Sequence, residues 1–247
     1  MNPTGEADTS VKMQGAVRLF RAGGITVFVH WSWFMVAIYE IQQRVHGYTS
    51  LVWNGLEYLC LFGLVLLHEF GHALACRSVG GRADRIMLWP LGGVAYVDPP
   101  QRPGATLWSI VAGPLVNVVL LPVLFGAWLL AVRLGWPASA SNGLTLLKSV
   151  ALVNLIMLIF NLLPVYPLDG GQILRSVLWF MVGRANSLIA ATIVGLVGVV
   201  GVVLLAVLLQ SVWIGVLAAF ILLNCWRGLQ GALALARLEK APRRPPC

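Results

Sequence analysis

The chain reads as an all-α polytopic membrane protein, with about six transmembrane helices and a small β-sheet at the cytoplasmic interface. Three observations carry that reading. Of 247 residues, 59% are hydrophobic and only 11% are charged, whereas a soluble domain carries about 25% charged residues. The apolar residues are gathered into long uncharged runs, and about 20 such residues cross a hydrocarbon core. Two shorter stretches between the runs are rich in β-branched residues or broken by Pro and Gly, the composition of strands and turns.

The elements follow in order. Residues 1–23 are polar and glycine-rich. They lack the apolar core of a secretory signal and read as a cytoplasmic segment. Residues 24–30, with Ile25, Val27 and Val29 alternating, read as a strand. Spans are expected at 31–43, 52–76, 105–131, 146–163, 188–209 and 212–226. The first and last are short enough to tilt or to lie partly in the interface. Between the second and third, Pro90 and Gly92-Gly93 divide residues 85–98 into two strands around a turn. Residues 24–232 make one membrane domain, and the basic, proline-rich end over 233–247 reads as a disordered cytoplasmic tail.

The formal charge is +8. In a soluble protein that balance would raise nucleic acid as a partner, but here it is a topology signal. Six crossings put both ends on one side, together with Arg77, Arg82, Arg85, Arg102, Arg175 and Arg184. The other side holds only Arg44, Arg133 and Lys148. Basic loops stay in the cytoplasm, so both termini are expected there, in a multi-pass protein of a bacterial inner membrane. No nucleic-acid partner is expected. Cys60, Cys76, Cys225 and Cys247 form no C-x-x-C pair, which argues against a disulfide framework or a thiolate-bound metal.

Chemistry concentrates in the second span, at His68-Glu69-Phe70-Gly71-His72. Each helical residue turns about 100°, so His72 lies about 40° from His68 and Glu69 about 100° from it. All three share one face. Two imidazoles at i, i+4 can grip one zinc ion, with the glutamate as a base beside it. Burial at this depth is costly for ionisable groups without a partner, which favours a metal over a chance pair of interfacial histidines. A third ligand is wanted, and Asp169 is the candidate. It follows Pro164 and Pro167 and precedes Gly170-Gly171, where prolines stop a helix and glycines allow close approach. By itself Asp169 reads equally as the N-cap of a helix starting near Gln172. The alternation of spans brings His68, His72 and Asp169 to a similar depth.

These segments resemble the site-2 proteases, the intramembrane zinc proteases. The likeness lies in residues 67–73 around the H-E-x-x-H, in residues 160–171 with Leu168-Asp169-Gly170-Gly171, and in Ala112-Gly113-Pro114-Leu115-Val116-Asn117. It implies one zinc per chain held by His68, His72 and Asp169, with Glu69 as the general base. It further implies that Asn117 and the strand of Gly92, Gly93, Val94, Ala95 and Tyr96 help to hold substrate. The activity it implies is hydrolysis of peptide bonds in or near transmembrane segments of membrane proteins, within the lipid bilayer. The PDZ and CBS domains of many relatives are missing from this sequence.

Other polar residues have blander readings. Asn117 reads equally as a substrate clamp or as a hydrogen bond between helices. Asn154 and Asn161 share a helix face and read as helix packing. His30 beside Trp31 and Trp33 reads as part of an interfacial belt, and Glu57, about 16 Å before His68, as interfacial. Two other functions compete. A membrane metal transporter would need polar groups along a whole path, and few stand in the outer half. A non-catalytic substrate-binding relative would lack Glu69 or a ligand, and all are present.

Overall fold

The computed structural model describes residues 15–43, 48–89, 92–136 and 142–240. Most of the polar N-terminal segment, the turn expected at Pro90–Leu91 and the last seven residues lie outside these. Eleven elements follow in order: β1 (Ala16–Ala22), β2 (Ile25–His30), α1 (Ser32–Gln43), α2 (Leu51–Ser78), β3 (Arg82–Trp89), β4 (Gly92–Asp98), α3 (Pro103–Arg133), α4 (Asn142–Leu162), α5 (Asp169–Val182), α6 (Arg184–Leu208) and α7 (Val212–Lys240). Among the described residues, five helices are long and apolar enough to cross a membrane, covering 51–78, 103–133, 142–162, 184–208 and 214–237.

The first of the six expected spans is the exception. Helix α1 has 12 residues, about 18 Å at 1.5 Å per residue, short of the roughly 30 Å core. The sheet explains how the chain still reaches the far end of α2. Its strands are ordered β1-β2-β3-β4, with β2 parallel to β3 and the other pairs antiparallel. Strand β3 leaves the end of α2 and turns back along it, and β2 runs beside β3. Ile25, Val27, Val29, Ile86 and Leu88 pack against Phe62, Val65, Leu66, Phe70, Ala73 and Cys76 of α2. At one end Arg77 donates to the Gly23 carbonyl. At the other, Trp33 meets Tyr58 and Phe62 edge-on at 5.6 Å. From Arg77 to Phe62 is 15 residues, about 22 Å. The sheet therefore lies along the C-terminal half of α2.

The two strands expected within 85–98 and the strand at 24–30 are present. Strand β1 adds a fourth at the edge of the sheet, within the segment read as polar. Helix α7 continues to Lys240, through the first residues of the stretch read as tail, because Leu233 to Lys240 are good helix formers. Helices α6 and α7 pack on each other and hold Val165 and Tyr166 between them, in a cluster with Val199, Ile221 and Cys225. That loop leads directly into Asp169.

Candidate metal centre

Four helices and one strand converge at the middle of the fold. Helix α2 brings His68, Glu69 and His72, each no more than 6% exposed. Helix α5 brings Asp169 in its first turn, so the helix begins at Asp169 itself rather than near Gln172. Helix α3 supplies Asn117 and the Ser109 carbonyl, α4 supplies Asn154, and β4 supplies the Ala95 amide.

One atom each from His68, His72 and Asp169 meets within 4.8 Å. His68 Nε2 is 3.1 Å from Asp169 Oδ2, His72 Nε2 is 3.1 Å from His68 Nε2, and His72 Nε2 is 3.4 Å from Asp169 Oδ2. The opposite ring nitrogens decide what these atoms are. His72 Nδ1 lies 2.9 Å from the Ser109 carbonyl oxygen, a pure acceptor, so Nδ1 carries the proton. His68 Nδ1 lies 2.7 Å from Asn117 Oδ1. That amide is oriented in turn, because Asn117 Nδ2 donates to Asn154 Oδ1 at 2.8 Å and Asn154 Nδ2 donates to the Asn117 carbonyl at 3.0 Å. With Nδ1 as the donor, the neutral form of each imidazole presents a lone pair at Nε2. Two imidazole lone pairs and a carboxylate oxygen face one another in a buried space. A shared cation, a metal ion or a proton held between imidazole and carboxylate, satisfies that arrangement. Two His and one carboxylate is a zinc donor set that leaves a fourth position open, and the groups behind each imidazole are the outer partners such sites require.

Glu69 stands beside the triad. Its Oε2 accepts a 2.7 Å hydrogen bond from Ala95 N. Three glycines set the clearances. A methyl group on Gly93 would fall on the Glu69 side chain, one on Gly113 would fall on the His72 ring, and one on Gly71 would lie 2.7 Å from the Ala112 carbonyl. Close approach of α2 to α3 is thus a condition of the site, as small residues permit between membrane helices.

The structure brings His68, Glu69, His72 and Asp169 together, with Gly93 and Ala95 against Glu69. Asn117 sits behind His68, fully buried, with both side-chain polar atoms engaged; of its two readings, the hydrogen bond between helices is the one seen, and Asn154 completes it. Val94 and Tyr96 point from the opposite face of β4 and are about half exposed. His30 stands apart, stacked on Trp89 at 4.6 Å with Nδ1 2.5 Å from Ser32 Oγ. Glu57 is buried, one turn from the buried Asn54. The Ser109 carbonyl and the Ala95 amide had no sequence signal, since every residue carries those groups. Replacing Asn117 with Ala should lower zinc affinity by about 10–100-fold, the usual cost of an outer-sphere partner. Zinc titration against a competing chelator measures it, and unchanged affinity would deny Asn117 a part in setting the His68 tautomer.

The match to known proteins follows the same residues. The description "Peptidase family M50" matches residues 57–136 and 131–205. A zinc metalloprotease of Methanocaldococcus jannaschii is 34% identical over 183 residues, covering 74% of this chain and 51% of that protein. Stage IV sporulation protein FB of Bacillus subtilis is 38% identical over 118 residues, 47% of this chain and 38% of that one. The chain spans about half the length of the curated relatives it matches. Among solved structures, the site-2 protease from Methanocaldococcus jannaschii superposes with a TM-score of 0.63 at 28% identity, covering 87% of this chain and 95% of that one.

Proposed function

Since the chain belongs to peptidase family M50, we propose that it is a zinc-dependent endopeptidase that hydrolyses peptide bonds in or near transmembrane segments of membrane proteins. The observation that supports this most is the set of three buried acceptor atoms with the Glu69 carboxylate beside them. His68, His72 and Asp169 would hold the zinc. A zinc ion held there would supply Lewis-acid chemistry toward a carbonyl oxygen and a lowered pKa for an attacking water. Glu69 takes the proton from the attacking water and returns it to the leaving amine. The Ala95 amide holds one Glu69 oxygen and leaves the other free for that transfer. Asn117 and Ser109 keep both Nε2 atoms unprotonated toward the metal. The domain that does this spans residues 24–232, joined by β1.

Substrate is held, on this reading, at the outer edge of β4. A helical peptide bond is shielded by its own turn, so a substrate span must unwind. The N–H and C=O groups thereby exposed in a bilayer need partners. Strand β4 ends the sheet and has no strand beyond it among the described residues, which suits strand addition. Ala95 donates to Glu69 rather than to its β3 partner Ile86. Alternate residues of an antiparallel strand face opposite edges, so Gly93, Ala95 and Val97 direct their amides outward, while Val94 and Tyr96 bond to β3. In purified chain reconstituted with a transmembrane substrate, cleavage should stop on zinc chelation and return with zinc. Val97→Pro deletes an outward edge donor while leaving the Ala95 amide on Glu69, and should lower cleavage at least tenfold with zinc content kept. Full activity in that variant would remove the strand-edge reading, and chelator-insensitive cleavage would remove the metalloprotease.

Both termini are cytoplasmic on this proposal, in the bacterial inner membrane. The basic side of the topology, with Arg77, Arg82 and Arg102, coincides with the end where the sheet meets α2 and α3. An impermeant thiol reagent added from outside should label a cysteine placed at Leu134 and spare one at Arg82. The reverse pattern would invert the orientation.

A further inference from the structure

Two arginines at the start of α6 and within α5 have no task in the metal centre. Arg175 and Trp179 are one turn apart on α5, and Arg184 opens α6 just after Gly183. The Arg175 guanidinium lies 6.0 Å from the centre of the Trp179 ring, and that of Arg184 lies 5.7 Å from it. Two like charges are thus gathered on one aromatic ring. Cation–π contact can hold each of them there, but it does not cancel their repulsion. The Nε atom of each is buried with no hydrogen-bond partner. Among the described residues no carboxylate pairs with either. Burial pulls the Arg175 guanidinium below its ordinary value, and the charge of Arg184 pulls the same way against an opposing effect of Tyr166. A buried donor of a charged group is costly to leave unmade. An anion would meet both unpaired donors and offset the repulsion of the two charges.

We propose that Arg175, Arg184 and Trp179 form a binding site for a phosphate ester, supplied by the headgroup of an anionic phospholipid. The guanidinium fork matches phosphate oxygens two at a time. The N-terminus of the 25-residue helix α6 adds backbone N–H groups and the positive end of its dipole, and no side chain caps it. The surroundings identify the bearer of the phosphate. Helix α5 exposes Val177, Phe180 and Met181, the last 80% exposed, in the i, i+3, i+4 spacing of one apolar stripe. An apolar stripe next to arginines and a tryptophan at the far end of α5 is the pattern of a helix end at the membrane–water interface. A phosphate seated on the arginines leaves acyl chains beside that stripe. This inference needs only the membrane setting and is independent of the zinc reading.

The test uses full-length protein in a neutral detergent. A short-chain phosphatidylglycerol, the matching phosphatidylcholine and inorganic phosphate are titrated against its thermal unfolding midpoint. Phosphatidylglycerol should raise the midpoint by several degrees and phosphatidylcholine should not. Arg175→Gln with Arg184→Gln should abolish the rise. Arg21→Gln, on the exposed strand β1, should keep it. Should the double variant fold poorly, Arg184→Lys alone serves, because it keeps the charge and loses the fork, and the apparent lipid affinity should fall at least threefold. If inorganic phosphate reproduces the shift at equal concentration, the site takes free phosphate and the lipid assignment fails. If Arg21→Gln weakens the shift as much as the pair does, or if the pair leaves it intact, attraction to overall charge is sufficient and the site is refuted.

Discussion

Glu69→Gln is expected to lower cleavage by about 10²–10⁴-fold, the range a positioned general base supplies, with zinc content unchanged. The amide is close in shape to the carboxylate and its oxygen can still accept from the Ala95 amide, the one side-chain hydrogen bond to Glu69 among the described residues. It cannot take a proton from water. None of the three converging atoms belongs to Glu69, so metal should stay. The measurement pairs zinc analysis with turnover of a reconstituted transmembrane substrate. Loss of both would mean that Glu69 also supports the metal or the fold, and normal turnover would place the base elsewhere.

Asp169→Ala should remove most of the zinc and nearly all activity. It deletes one of three donors and leaves two imidazole lone pairs facing each other at 3.1 Å without a carboxylate. The loss of affinity should exceed the roughly 10–100-fold expected for an outer-sphere partner such as Asn117. Asp169 also sits in the first turn of α5, where a negative charge is worth about 0.3–1 kcal/mol to the helix. Asp169→Asn keeps the shape and loses the charge, so it shares the small helix penalty. If Asp169→Asn keeps full zinc, the carboxylate is not a ligand. If both variants lose zinc while unfolding at nearly the native midpoint, the loss belongs to the site.

What the sequence revealed divides along side chain and backbone. His68, Glu69 and His72 were legible because helical spacing alone puts them on one face, and Asp169 because prolines and glycines mark the turn that delivers it. The Ala95 amide and the Ser109 carbonyl were hidden, since backbone groups are common to every residue. Asn117 and Asn154 were both noticed, and their pairing was not, because the two reach each other from different helices. Strand β1 escaped notice since Val17, Leu19 and Phe20 are all substantially exposed and no buried alternation marks it. The shortness of α1 was visible, but that β2 and β3 run together along α2 was not, because their pairing joins residues some 60 apart in the chain. Helix α7 outruns its expected end because hydropathy reports where a bilayer would stop and not where a helix does.

The clearances around Gly71, Gly93 and Gly113 carry a consequence for how the sequence can drift. Each of these positions is full without any side chain, whereas Gly55, Gly63, Gly126 and Gly201 open onto free space. Mutational tolerance along the spans is therefore uneven in a way that hydrophobicity does not report. An alanine at Gly63 adds a methyl where nothing meets it. The same change at Gly113 or Gly93 displaces a histidine or the glutamate while leaving every chemically active residue in place. The site can thus be lost through three residues that touch neither metal nor proton, and a chain with an intact H-E-x-x-H and L-D-G-G would still be silent if one of them had grown.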